Sequence, residues 1–239
     1  MPEASNTSAV VVVQARLSSV RLPGKTLSSV GDGTVLSLLL ERLESRTGPE
    51  PIIVATSVDE SDDPIAEFCA ERDAQIFRGS LEDVAGRFVA LIGRYAPDAI
   101  VRINADSPLL DPRLIDRAIE IYFESRPDLV TNVMPRSFPV GQSVEVISAR
   151  ALLDAYPRMT EAAQREHVTR YFYQRPESYS IVNFSAPGDH SSVRMAVDTA
   201  EDLERVRAVI ANLDRPHTSY GYAQLLARFD AYEQERARA

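Results

Sequence analysis

The stretch Val10-Val-Val-Val-Gln14-Ala15-Arg16-Leu17-Ser18-Ser19-Val20-Arg21-Leu22-Pro23-Gly24-Lys25 constrains the fold more than any other part of the chain. A continuous β-branched run predicts a strand buried on both faces, and this one empties directly into a loop holding Arg16, Arg21 and Lys25. In parallel α/β sheets ligands sit beyond the carboxyl ends of the strands, so the loop reads as a socket for a polyphosphate. Guanidinium forks match phosphate oxygens and the lysine adds a compact charge. Ser18 and Ser19 add hydroxyl donors. Gly24-Lys25-Thr26 imitates the end of a P-loop, but that motif would need glycine where Ser19 stands. A solvated basic loop is the plain alternative.

Strands and helices alternate downstream, which predicts a parallel sheet sandwiched between helices. Strands are expected at Ile52–Thr56, Gln75–Phe77, Ala99–Ile103, Tyr179–Phe184 and Val193–Val197. Thr34 is placed to cap a helix carrying Leu36, Leu39, Leu40 and Leu43 on one face, and Asp62 or Asp63 before Pro64 signals another start. Further helices are expected over Glu82–Tyr95, from Pro112, over Ala149–Tyr156 and Glu161–Gln174, and from Thr199, where Thr199 and Asp202 have capping-box spacing. Residues 132–147 carry two prolines, a glycine and alternating apolar positions, and read as an extended arm or hairpin leaving the sheet. Residues 9–239 are expected to form one domain behind a disordered terminus at 1–8, and Gln224 to Ala239 reads as a surface helix that frays.

With 239 residues, 44% of them hydrophobic, the chain is long enough for a sizeable core. A net charge of −9 argues against a general nucleic-acid surface and makes the cations near the N-terminus stand out. A small anionic substrate fits better. The polar start lacks a basic n-region, and Ala9 to Val13 is too short for a membrane span. Cys69 is the only cysteine, which leaves no disulfide, zinc cluster or redox pair; it reads as packing, and cytosolic residence is the default. His190 and His217 carry no assigned role.

Two further segments carry chemistry. In Arg102-Ile-Asn104-Ala-Asp106-Ser-Pro108 an aspartate follows a buried strand at the position where a divalent cation would bridge phosphates. In Val197-Asp198-Thr199 another strand ends in aspartate, and Thr199 can supply the helix cap, leaving the Asp198 carboxylate free. Two hard oxygen donors suit Mg²⁺, which takes few carboxylates and keeps waters and substrate phosphates.

Five segments then fall in one order: Gln14-Ala15-Arg16 to Lys25; Arg78-Gly79-Ser80 with Asp83-Val84 and Arg87-Phe88; Ala105-Asp106-Ser107-Pro108; Glu166-His167-Val168 with Tyr171; and Val197-Asp198-Thr199 with Glu201-Asp202-Leu203. The set resembles the CMP-sugar synthetase family, nearest its spore-coat-polysaccharide cytidylyltransferase-like branch, with 3-deoxy-manno-octulosonate and acylneuraminate cytidylyltransferases as relatives. The resemblance implies a Rossmann-like three-layer sandwich of the nucleotide-diphospho-sugar transferase type with a mostly parallel mixed sheet. It implies transfer of CMP from CTP to a small anionic sugar, with pyrophosphate released, in a homodimer. By similarity Arg16, Arg21 and Lys25 hold the triphosphate and, with Asp106, carry catalysis, while Asp106 and Asp198 hold Mg²⁺. Gln14, Ala15, Ser18, Ser19, Arg78 and Ser80 complete the nucleotide site, and Arg136, Glu145, Arg165 and His167 are the expected acceptor contacts.

The chain departs from the branch at two places. It reads Ser18-Ser19-Val20-Arg21 where the branch has Gly-Ser-Thr-Arg, and Ser143 stands where an aspartate usually precedes Val-Glu-Val. A sugar-1-phosphate nucleotidyltransferase, a nucleotide-sugar glycosyltransferase and a nucleotide-binding homologue without turnover stay open as alternatives. A glycosyltransferase would favour Asp-x-Asp at a strand end, and Asn104-Ala105-Asp106 supplies only the second aspartate.

Overall fold

Successive side chains of a strand point to opposite faces, and the first strand is apolar at every position because both of its faces are covered. In the computed structural model, which describes residues 8–238, β1 (Ala9–Gln14) sends Val11 and Val13 into one apolar layer and Val10 and Val12 into another. The expected disorder at residues 1–8 falls, apart from Ser8, outside the described residues. Following β1 are α1 (Val35–Glu44), β2 (Ile52–Ser57), α2 (Asp63–Glu71), β3 (Ile76–Gly79), α3 (Val84–Tyr95), β4 (Ala99–Asn104) and α4 (Pro112–Ser125). The second half contains β5 (Leu129–Thr131), β6 (Glu145–Ser148), α5 (Ala149–Ala155), α6 (Ala162–Glu166), α7 (Arg170–Tyr173), β7 (Ile181–Asn183), α8 (Ala200–Ala211) and α9 (Tyr222–Arg236).

The seven strands form one sheet in the order β3-β2-β1-β4-β6-β5-β7. Strands β3, β2, β1 and β4 run parallel, β6 is antiparallel to both β4 and β5, and β7 is parallel to β5. Helices α1, α2 and α4 cover one face, and α3, α5 and α7 cover the other. A third apolar cluster joins α8 and α9 to Leu38, Met195 and Val197 beside the sheet. The result is a three-layer, mostly parallel mixed sheet. Among the described residues no helix is long and apolar enough to cross a membrane.

Several start signals work as their residue types require. Thr34 caps α1 in a reciprocal box with Ser37, and Thr199 with Asp202 does the same for α8. Asp111 caps α4 ahead of Pro112. Cys69 is fully buried, and burial pushes its thiol up to about 11, so it is packing.

Three expectations need correction. The helix expected over Glu161–Gln174 is broken into α6 and α7 at His167, whose backbone is non-helical (φ −106°, ψ 71°). The break lets Val168, Tyr171 and Phe172 all reach the core. Residues 193–197 are not a strand but pair with Val140 at a single bridge at Arg194. Residues 132–144 do not project as an arm. They link β5 to β6 and fold back, with Asn132, Phe138, Gln142 and Val144 all buried in their own chain.

That returning segment locates Asp198. The Val140 N–H donates to the Val193 carbonyl (2.8 Å), and the Met195 N–H donates back to the Val140 carbonyl (2.7 Å). Gly141 has φ +101°, and a Cβ there would lie 2.6 Å from the Ala196 nitrogen and 2.8 Å from the Met195 carbonyl carbon. Only glycine permits this approach. Gly141→Ala should therefore cost at least about 3 kcal/mol in urea unfolding, since it combines a disfavoured φ with a backbone clash. Gly24→Ala, with φ +74° but nothing within 4 Å of its Cβ, should cost about 1 kcal/mol. Equal stabilities of the two variants would show that the 193–197 segment shifts freely.

Candidate functional site

The loop after β1 is held from below by main-chain and buried side-chain bonds. The Ala15 N–H donates to the Ala55 carbonyl (3.0 Å) and continues the β1–β2 ladder. Next, the Leu17 N–H donates to Asp62 Oδ1 at 2.7 Å, while Thr26 Oγ1 donates to the Arg16 carbonyl at 2.9 Å. Asp62 occupies the cap position of α2 without capping it; its fully buried carboxylate also accepts from the hydroxyl and N–H of Ser57. Arg87, buried as well, faces that carboxylate while donating to the carbonyls of Ala55 and Ser80. Burial, with a smaller opposing pull from Asp62, brings its guanidinium down to about 10.

Above this scaffold the loop's cations turn toward two carboxylates. Asp106 follows β4 by two residues, and Asp198 follows the bonded 193–197 segment; the Val197 N–H donates to the Asp106 carbonyl at 2.8 Å and ties the two segments together. Lys25 Nζ lies 2.7 Å from Asp106 Oδ2 and 2.9 Å from Asp198 Oδ1, with its side chain 11% exposed. Arg21 reaches Asp198 Oδ1 at 2.8 Å, and Arg194 reaches Oδ2 at 2.6 Å. Burial by itself would raise the Asp198 carboxyl, but the Lys25 hydrogen bond and the Lys25, Arg21 and Arg194 charges outweigh it and hold the group below the usual carboxylate range. Arg16 pairs with Glu166 at 2.9 Å across the mouth.

These residues line a cleft of about 350 Å³ at the carboxyl ends of β1 and β4. Gln14, Arg16, Ser18, Ser19, Arg21, Lys25, Asp106, His167 and Asp198 all face it, so the residues expected for phosphate and metal come together with His167. Ala15 is in the core. Arg78 and Ser80 are outside the lining. Arg78 donates to the Ser57 carbonyl and pairs with Asp63 at 2.6 Å, and the Ser80 hydroxyl accepts from the Asp83 N–H. Arg165 is also elsewhere, pairing with Asp83 at 2.6 Å and stacked on Tyr156. Arg136 donates to Ser143 Oγ at 3.0 Å, and burial, ahead of the opposing pull of Glu145, lowers its guanidinium.

Glu145 is buried beneath the cleft. It stands opposite Arg102 on β4 and Thr131 on β5, accepts from the Arg102 guanidinium and the Tyr173 hydroxyl, and does not line the cleft. Arg102, which does, donates Nε–H to Gln14 Oε1 at 3.0 Å. Arg102 and Asn104 are lining residues that the sequence reading missed. Their signal was period two: polar residues at 102 and 104 share one face of an otherwise apolar strand.

Comparison with known proteins places this geometry. The chain matches the family described as Cytidylyltransferase over residues 10–236. It is 33% identical to the spore coat polysaccharide biosynthesis protein SpsF of Bacillus subtilis over 216 residues, covering 87% of this chain and 89% of that one. It is 27% identical to the 3-deoxy-manno-octulosonate cytidylyltransferase of Rhodospirillum rubrum, covering 87% and 98% of the two chains. Among solved structures, a cytidylyltransferase from Leptospira borgpetersenii superposes with a TM-score of 0.90 at 28% identity, over 95% of this chain and 96% of that one. A family match over nearly the whole length, on a fold whose strand ends present the cations and carboxylates that nucleotide chemistry requires, settles the assignment: the chain belongs to the cytidylyltransferase family.

Proposed function

We propose that this enzyme transfers CMP from CTP to a sugar or 2-keto sugar acid, with Mg²⁺ held at Asp106 and Asp198. One observation carries the reading: Asp106 and Asp198 meet Lys25 and Arg21 of the loop, together with Arg194, at the mouth of parallel strands in a cytidylyltransferase. The sugar-acid acceptor is carried over from the name of the Rhodospirillum rubrum relative.

The donor set fits a divalent cation. Asp106 and Asp198 offer hard oxygens to a single point, the one Lys25 Nζ occupies, and each side chain is partly accessible, at 25% and 16%. No group of three or more histidine, cysteine, aspartate or glutamate residues gathers among the described residues. Two carboxylates completed by waters and phosphate oxygens is the manner in which Mg²⁺ is usually bound. When bound, the cation would draw charge from the triphosphate and so favour departure of pyrophosphate.

The chain's own residues do the rest. Arg21, 61% exposed at the loop tip, and Arg16 exchange their carboxylate partners, Asp198 and Glu166, for phosphate oxygens, and their charges then meet the negative charge that builds on the leaving pyrophosphate. Lys25 exchanges carboxylate partners for phosphate. The acceptor hydroxyl oxygen forms its bond to the α-phosphorus, releasing its proton to water, as the bond to the pyrophosphate oxygen breaks, and His167, which lines the cleft, is the residue assigned to orient the acceptor. Phosphoryl transfer needs little covalent help beyond such placement.

Two measurements test this. Asp106→Asn should lower pyrophosphate release by about a hundredfold or more while the urea unfolding midpoint stays close to that of the parent; an active, folded variant would remove Asp106 from the site. Arg21→Ala should weaken CTP binding roughly tenfold at low ionic strength, and the deficit should shrink as salt rises because the contact is exposed and screened. A deficit that does not depend on salt would mean that Arg21 acts through loop packing. A screen of nucleoside triphosphates against sugar acids, read by pyrophosphate release, identifies the acceptor.

A further inference from the structure

The geometry points to Lys25 as a built-in occupant of the cation position, one that keeps a lone divalent metal out until the nucleotide draws the ammonium away. The inference deepens the functional reading and rests on its assignment of Asp106 and Asp198 as the metal's carboxylates.

An ammonium is a compact cation with three donors. That of Lys25 uses two of them on carboxylate oxygens from separate segments, at 2.7 and 2.9 Å, and its side chain is nearly buried at 11% exposure. These are the oxygens that a metal would need. A divalent ion arriving by itself would have to displace the ammonium and leave it, still charged and scarcely solvated, beside a second and stronger cation; nearby Arg21 and Arg194 make that repulsion worse. A triphosphate changes the balance because its oxygens offer Lys25 new anionic partners within the same loop. Charge is then exchanged like for like, and the two carboxylates come free together. Binding of metal and nucleotide is thereby coupled, and the coupling is reciprocal.

The test needs no nucleotide. Mn²⁺ binding to the full chain is measured by electron paramagnetic resonance for the parent, Lys25→Met and Lys25→Gln, with circular dichroism to establish folding; the glutamine variant serves if the methionine one does not fold. Either Lys25 variant should bind Mn²⁺ at least about tenfold more tightly than the parent, and adding Asp106→Asn should abolish the gain. Arg21→Met is the charge control, for it removes one positive charge from Asp198 while leaving Lys25 between the carboxylates. It should change the affinity by less than about threefold. The inference is overturned if the parent binds Mn²⁺ as tightly as the Lys25 variants, or if Arg21→Met gives the same gain. A protein that never turned over CTP would still show the expected pattern, so failure of this inference and failure of the proposed activity are told apart.

Discussion

Two like charges brought to one point must be paired or they push apart, and the candidate site depends on how Asp106 and Asp198 are kept together. The chain uses two devices of different kinds. The main-chain bond from the Val197 N–H to the Asp106 carbonyl fixes the distance between the segments, and it is insensitive to salt and pH. The Lys25 ammonium then neutralises the carboxylates, with Arg21 and Arg194 sharing Asp198. Partly buried ion clusters return little net stability, since desolvation offsets most of the attraction. The cluster is therefore better understood as charge held ready for a ligand than as a staple for the fold.

The irregular backbone around that cluster is stabilised as a core would be. Where the ladder of the sheet stops, buried side-chain amides take over its bonding. Gln142 accepts from the Asp111 N–H and donates to the Leu109 carbonyl, both at 2.8 Å; Asn132 accepts from the Val144 N–H at 2.9 Å and donates to the Gln142 carbonyl at 2.7 Å. Arg42, with no exposure at all, donates to the carbonyls of Leu110, His217 and Tyr220, and so binds α1 to the turn that leads into α9. Burial brings its guanidinium down to about 10, with Asp111 pulling the other way. Each of these groups is satisfied, which lets loops adjoining a cleft be rigid without being regular.

The parts legible in the sequence are those decided by local chemistry. The β-branched run of β1, the Thr34 and Thr199 caps and the aspartate two residues beyond β4 are each fixed by a few neighbouring residues, and they lie where their types require. The parts that were not legible depend on a distant partner. Apolar alternation at 193–197 is the same whether the segment joins a strand or, as here, a returning loop through Gly141. Helical periodicity continues through His167 although the chain turns there. Glu145, expected by similarity as an acceptor contact within an extended arm, lies instead in a row across the sheet, Arg102 on one side and Thr131 on the other, which places it in the interior. Arg78 and Ser80 share the sheet edge of the cleft loops in sequence order but not their direction in space.

That buried row has a consequence for whatever enters the cleft. The Tyr173 hydroxyl is pushed well above its ordinary range by burial and by the Glu145 charge, so it remains a donor to Glu145 throughout neutral pH. With Tyr173 on one carboxylate oxygen and Arg102 on the other, the guanidinium is held in one orientation, and its Nε–H falls to Gln14 Oε1 at 3.0 Å. Arginine has only donors, so the amide oxygen of Gln14 must face it. The Gln14 nitrogen, which has no protein partner among the described residues, is then left on the cleft side of the group. It offers two N–H donors and no acceptor. A hydrogen-bond acceptor brought against that edge would satisfy it, whereas an N–H placed there would set donor against donor. The orientation of the Gln14 amide at the cleft is thus set through Arg102 by a glutamate that does not line it.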